Sequence, residues 1–279
     1  MTGFGERARG AIDAYGHLCV GIDPHPSLLG DWGLDASAAG AREFGLRVVE
    51  ASAGKVGIVK PQVSFFERYG SAGFAALEDV LAAGRAAGLL VIADAKRGDI
   101  GSTMDAYAEA WLTPGSPLEA DAMTANPFLG LGSLEGTFAL AEQHGKGVFV
   151  LAATSNADAF ETQRATLATG GTVSAGIVSE VSARNAGTTA AGEWGSLGFV
   201  IGATVDWVEA GLTAFTPPAP ILAPGFGFQG AGAGELTARF GAAAATVIAS
   251  ESRSILSAGP DDIAATIRVH AAQFAGTHA

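Results

Sequence analysis

The feature that most limits what this chain can become is an alternation. Eight short apolar runs are separated by stretches with helical periodicity. The runs are Leu18–Asp23, Val56–Pro61, Leu89–Asp94, Ala120–Thr124, Gly147–Ala152, Leu197–Gly202, Ile221–Ala223 and Ala244–Ser250. Runs this short and this free of polar alternation suit strands covered on both faces, as in a parallel sheet. The helical stretches are Ala38–Ala53, Phe74–Ala87, Ser102–Leu112, Leu134–His144, Val173–Ala186, Val205–Phe215 and Asp261–Phe274, preceded by Thr2–Tyr15. Several carry end signals: Ser102 as an N-cap, Gly145 as a C-cap, Asp261 and Asp262 in a first turn. Such an alternation in 279 residues predicts an α/β fold, a (β/α)8 barrel, as one domain over 1–279. Residues 1–16 form its N-terminal helix, and 155–195 a long connection after strand five whose Asn156–Thr172 part reads as a lid or active-site loop. A doubly wound sheet is the competing arrangement.

Charge narrows the partners. Net charge is −12, with only four lysines, which argues against nucleic acid or an anionic membrane as a general partner. Any bound anion must then be met by a local cationic cluster. The single cysteine, Cys19, lies in an apolar run and reads as a buried structural thiol in a reducing compartment. The N-terminal stretch has no apolar signal region, and no apolar run approaches the roughly 20 residues of a membrane span. A cytoplasmic protein is expected. The five histidines show no metal-ligand spacing, so no metal is expected.

The informative residues stand at the ends of the runs, because barrels of this kind carry chemistry at the C-terminal face of the strands. They are Asp23, Lys60, Asp94 with Lys96, Thr124 with Asn126, Ser155, Thr204, Gly225 with Gln229, and Ser252 with Arg253. Asp94, Lys96, Arg97 and Asp99 place four charges in six residues at the end of a core strand, in a chain only 16% charged. Side chains two apart share a strand face, so Asp94 and Lys96 are expected to point together. Side by side in a low-dielectric site, such groups are costly unless paired.

Residues 223–234 form a glycine-rich loop after the seventh run, whose backbone amides can cradle a phosphate, with Arg253 adding charged donors. The same loop contains Gly225-x-Gly-x-x-Gly230, with Glu251 following 21 residues later, as in a dinucleotide fingerprint. Too little chain follows to build a nicotinamide domain, so the match is discounted.

Taken together these motifs resemble a known family. Asp94-Ala-Lys96-Arg-Gly-Asp99-Ile100, continuing to Thr103, is similar to the signature of the orotidine 5'-phosphate decarboxylases, in the longer form often called type 2. Gly21-Ile-Asp-Pro24, Val59-Lys-Pro-Gln62, Thr124-Ala-Asn-Pro127, Ala153-Thr-Ser-Asn156, Val200-Ile-Gly-Ala-Thr204 and Ala223-Pro-Gly225 agree with it, over about residues 18 to 256. The resemblance implies a homodimer of barrels with shared active sites, performing the last step of de novo UMP synthesis on a nucleotide substrate without a cofactor. It implies Lys96 as proton donor within an array of Lys60, Asp94, Lys96 and Asp99, the last supplied by the partner chain with Ile100 and Thr103. Asp23 and Thr103 would hold the ribose, Ser155 the pyrimidine, and Gln229 and Arg253 the phosphate; Pro224 and Gly225 would line the pocket. The motif is shared with Mg2+-dependent sugar-phosphate decarboxylases and synthases, the main rival. A Schiff-base aldolase would want a lysine with a depressed pKa, and Lys96 sits among carboxylates. A non-catalytic sugar-phosphate binder on the same fold is the other alternative.

Overall fold

Every strand in the computed structural model, which describes residues 2–275 and leaves out the side chain of Gln229, runs parallel to its neighbours. In order they are β1 Leu18–Ile22, β2 Ile58–Pro61, β3 Leu90–Arg97, β4 Ala122–Ala125, β5 Gly147–Ala153, β6 Leu197–Ile201, β7 Ile221–Pro224 and β8 Val247–Glu251. They pair in sequence order, and β8 returns to β1 through Leu18↔Ala249 to close a barrel. This is the (β/α)8 fold that the alternation predicts, and the doubly wound sheet is excluded by closure.

The helices are α1 Phe4–Tyr15, α2 Pro26–Asp31, α3 Ala38–Ser52, α4 Ser64–Glu67, α5 Gly70–Ala86, α6 Gly101–Leu112, α7 Glu135–His144, α8 Phe160–Gln163, α9 Val173–Thr188, α10 Leu236–Phe240, α11 Arg253–Leu256 and α12 Gly259–Phe274. No helix among the described residues is long and apolar enough to cross a membrane.

Inside the barrel, one residue from each strand fills the axis: Cys19, Ile58, Ile92, Ala122, Phe149, Val200, Leu222 and Ile248. Phe4, Ala8 and Ile12 of α1 join the same cluster. Phe4 meets Phe149 edge to face at 5.6 Å, a favoured aromatic geometry. Gly147 and Gly198 make room for the two rings, since a Cβ at either would strike them. The amino end of the barrel is thereby plugged with apolar side chains, and a cavity lies at the carboxyl ends of the strands. Cys19 belongs to this plug; it is free and fully buried, and burial pushes its thiol up to about 12. That agrees with a structural role.

Several boundaries differ from the sequence expectation, for local reasons. Residues 205–215 form no helix. Asp206 Oδ1 accepts from the amides of Val208 and Glu209, and the single turn ends where Gly211 adopts φ +69°. The expected N-cap Ser102 lies inside α6; the cap position is Ile100, whose amide donates to Asp99 Oδ1. The helix expected from Phe74 starts a turn earlier, at Gly70. Residues 241–246 coil as a 3-10 helix, so β8 begins only at Val247. Gly145 caps α7 in the left-handed conformation as expected, at φ +61°. The Asn156–Thr172 stretch is built from a 3-10 turn, α8 and a bridge between Thr166 and Thr172.

Candidate active site

The open end of the barrel holds a cavity of about 730 Å³. Asp23, Lys60, Asp94, Lys96, Ser155, Pro224, Gly225 and Arg253 all line it, although they come from six different strand ends. Asp99, Ile100 and Thr103 do not line it. Ile100 is 64% exposed, and Asp99 Oδ1 accepts from the Ile100 amide of its own loop. The side chain of Gln229 lies outside the described residues.

At the centre are three charges in a row. Lys60 Nζ lies 2.9 Å from Asp94 Oδ2, and Lys96 Nζ lies 2.6 Å from Asp94 Oδ1. Lys60 and Asp94 are 4% and 7% exposed, so the pair is largely buried in the cavity wall, whereas the Lys96 side chain is half open to the cavity. Burial works against both charges, but the neighbours override it. The carboxylates of Asp94 and Asp23 hold the Lys60 ammonium above its ordinary range. Lys60 and Lys96 hold the Asp94 carboxyl well below the usual carboxylate range.

Simple strand alternation does not bring Lys96 there. Between Ala93 and Arg97 the β3–β4 register shifts, and Lys96 takes φ +48°, unlike any other non-glycine among the described residues. A side chain held in that region costs on the order of 1–3 kcal/mol and persists only where its surroundings enforce it. Thr124 supplies part of the enforcement. Its Oγ1 accepts from the Lys96 amide at 2.8 Å and donates to Asp94 Oδ1 at 2.9 Å, and the side chain is fully buried. Gln62 adds a weaker brace, its Nε2 donating to the Asp94 carbonyl and its Oε1 accepting from Lys60 Nζ. The sequence places Thr124 at a polar strand end and Gln62 two residues after Lys60, but neither pattern predicts the brace. Position at a strand end was the available signal.

Around this centre, Asp23 Oδ1 is buried at the cavity wall and takes no hydrogen bond from any described residue. Such an acceptor is costly unless a donor arrives. Ser155 follows β5, and the preceding Thr154 is held from both sides by Gln163 of α8, which accepts from its amide and donates to its hydroxyl, each at 2.9 Å. His25 caps α2 through the Ser27 amide and borders the mouth.

In the glycine-rich loop, the amides of Gly227, Gly230 and Ala231 are bonded to carbonyls of the loop itself, so an anion cradle would have to draw on the loop's other amides. Arg253 stands beside the loop, its guanidinium stacked 4.4 Å over the Phe228 ring. Among the described residues, no group of three or more His, Cys, Asp or Glu converges as a metal site.

The chain that forms this cavity and its Lys–Asp–Lys row matches known proteins over almost its whole length. The sequence model of the orotidine 5'-phosphate decarboxylase / HUMPS family matches residues 16–268. A Corynebacterium glutamicum protein named orotidine 5'-phosphate decarboxylase is 49% identical over 275 residues, covering 98% of each chain. A Streptomyces coelicolor protein of the same name is 48% identical over 278 residues, 99% of this chain and 96% of its own. Among solved structures, one assigned to orotidine 5'-phosphate decarboxylase of Streptomyces avermitilis superposes with a TM-score of 0.91 at 48% identity, covering 99% of this chain and 94% of that one. Leishmania donovani OMP decarboxylase, at 28% identity, gives 0.75 over 96% of this chain and 95% of its own. With the family model spanning the barrel and relatives matched end to end, the chain belongs to the orotidine 5'-phosphate decarboxylase / HUMPS family.

Proposed function

We propose that this protein decarboxylates orotidine 5'-phosphate to UMP and CO2, without a cofactor, through a C6 carbanion. The observation that carries the reading is the Lys60–Asp94–Lys96 row at the base of the cavity. When the bond from C6 to the carboxylate breaks, its electron pair stays on a carbon with no adjacent electron sink. A fixed cation beside the developing charge is then the available stabiliser. Lys96 presents one, and its ammonium can pass a proton to C6 to leave UMP. Asp94, shared between two ammonium groups, fixes Lys96 and faces the departing carboxylate. Lys60 holds Asp94 ionised.

The remaining residues take the substrate's other parts. The donor-less Asp23 oxygen suits ribose hydroxyls, Ser155 the pyrimidine, and Pro224 and Gly225 the wall around the base. Arg253 suits the phosphate, and the family resemblance adds Gln229 to it. Enzymes lower barriers by roughly 8–23 kcal/mol, more than one ion pair supplies. Binding energy from the phosphate, spent on aligning the base, must carry a share.

Asp99, Ile100 and Thr103 belong to the same reading through a second copy of the chain. They sit directly after the catalytic strand, outside their own cavity, with Ile100 uncovered. A homodimer in which they complete the neighbour's site would use them and cover Ile100. A cytoplasmic site of action fits the buried, unpaired Cys19, which suits a reducing compartment.

The rival reading is a Mg2+-dependent sugar-phosphate decarboxylase or synthase, favoured by the Asp94-x-Lys96-x-x-Asp99 spacing that such barrels share. One assay separates the two. Orotidine 5'-phosphate consumption is followed by absorbance with and without EDTA. Turnover unaffected by the chelator is expected; no turnover, or turnover lost to EDTA, overturns the proposal.

A further inference from the structure

Glu251, the acid that follows the glycine-rich loop, is not in the cavity. It ends β8 at 3% exposure, and the cavity wall includes Ser250, Ser252 and Arg253 but passes it over. Its Oε2 accepts from Ser254 Oγ at 2.7 Å and lies 2.8 Å from His270 Nδ1. Ser254 is the residue after Arg253 in the short helix α11, and His270 belongs to α12. On a third side is the loop. Gly227, at φ +70°, comes so near that a Cβ there would stand 2.7 Å from Glu251 Oε2 and 2.5 Å from Ser254 Oγ.

One buried carboxylate oxygen therefore joins a strand end, two helices and a loop. The barrel axis is apolar and needs no charge at this point. What the junction connects is specific. Phe228, next to Gly227, stacks against Arg253, next to Ser254. Arg253 is thus one residue from a hydroxyl that Glu251 bonds, and Phe228 one residue from a glycine that the Glu251 carboxylate leaves no room to enlarge.

We propose that Glu251 is a positioning residue for the phosphate end of the site. Through Ser254 it fixes the turn of α11 that carries Arg253, and through the close approach of Gly227 it fixes the loop that carries Phe228. The fragment it serves is a phosphate monoester, which it never touches. The proposal rests on the placement of the substrate phosphate beside Arg253 given above.

The test is calorimetric titration of the wild-type protein, Glu251→Gln and Ser254→Ala with UMP and with uridine, alongside thermal melts. Loss of a buried charged hydrogen bond at the junction should weaken UMP about tenfold while leaving uridine unchanged. A merely structural role would weaken both ligands by the same factor, and that result, or an unchanged UMP affinity, overturns the proposal. Should Glu251→Gln fail to fold, Ser254→Ala removes a single hydroxyl and decides alone. Wild-type protein that turns over orotidine 5'-phosphate but binds UMP no better than uridine overturns this proposal alone. Wild-type protein without turnover overturns the assigned activity.

Discussion

Lys60 on β2 and Asp94 on β3 form a largely buried ion pair at 2.9 Å, and the same carboxylate holds Lys96 at 2.6 Å on its other oxygen. A buried pair is weak evidence for stability, because desolvation offsets much of the attraction. Here the second lysine, half exposed to the cavity, is the informative partner. Two ammonium groups drawn to one carboxylate are an arrangement that folding alone does not require.

The pair sets a pH signature. The Asp94 carboxyl is depressed in the fold, so its contribution is complete above the unfolded carboxylate range, about pH 4, and is lost as pH falls through the lower folded value. The Lys60 ammonium is raised, so its contribution is complete below about pH 10.4 and is lost as pH rises through the higher folded value. Between these limits the pair's contribution is flat. Asp94→Asn leaves a buried ammonium without its counter-ion and is expected to cost about 3–5 kcal/mol at pH 7. Urea denaturation from pH 3 to 9 should show that deficit constant above pH 5 and shrinking toward pH 3. A deficit that grows on acidification contradicts the assignment.

Lys96→Ala should leave the fold intact, because the side chain is half exposed and packs no core. Decarboxylation should fall by about 10³-fold or more, since stabilisation of the carbanion and proton delivery are lost together. The absorbance assay and a melting curve measure the two halves. Turnover near that of the wild type removes Lys96 from the chemistry.

Thr124→Val keeps the shape of a fully buried side chain and removes a hydroxyl with two partners, the Lys96 amide and Asp94 Oδ1. Leaving them unsatisfied should cost about 1–3 kcal/mol of stability. It should also relax the left-handed Lys96 backbone, so kcat is expected to fall further than KM rises. Equal effects on both constants would mean that Thr124 does not act through Lys96.

The barrel was legible because its strands are short, apolar and regularly spaced, and because both lysines at adjacent strand ends stood out in a lysine-poor chain. The way Lys96 reaches Asp94 was not legible. Alternation along a flat strand was expected to align them, whereas a register shift and φ +48° do so. That conformation depends on Thr124, 28 residues away in sequence. Residues 205–215 misled for the opposite reason. Apolar spacing there is helical, yet Asp206 captures two amides locally and Gly211 ends the turn. Within the glycine-rich loop, the hydrogen bonds from the amides of Gly227, Gly230 and Ala231 back to loop carbonyls leave no trace in composition.

The sharing of sites between two copies is open to a mixing experiment. Asp99 follows Lys96 by three residues, yet Lys96 lines the cavity and Asp99 does not. If Asp99 serves the neighbour, Lys96→Ala and Asp99→Ala are defects that fall on opposite partners of one site. A heterodimer of the two variants then has one doubly damaged site and one with both residues intact. Random assortment makes half of the dimers mixed, so refolding equal amounts together should restore about a quarter of wild-type activity. Each variant alone should remain inactive. Verified heterodimers without recovered activity would mean that each chain's Asp99 serves its own Lys96, or neither.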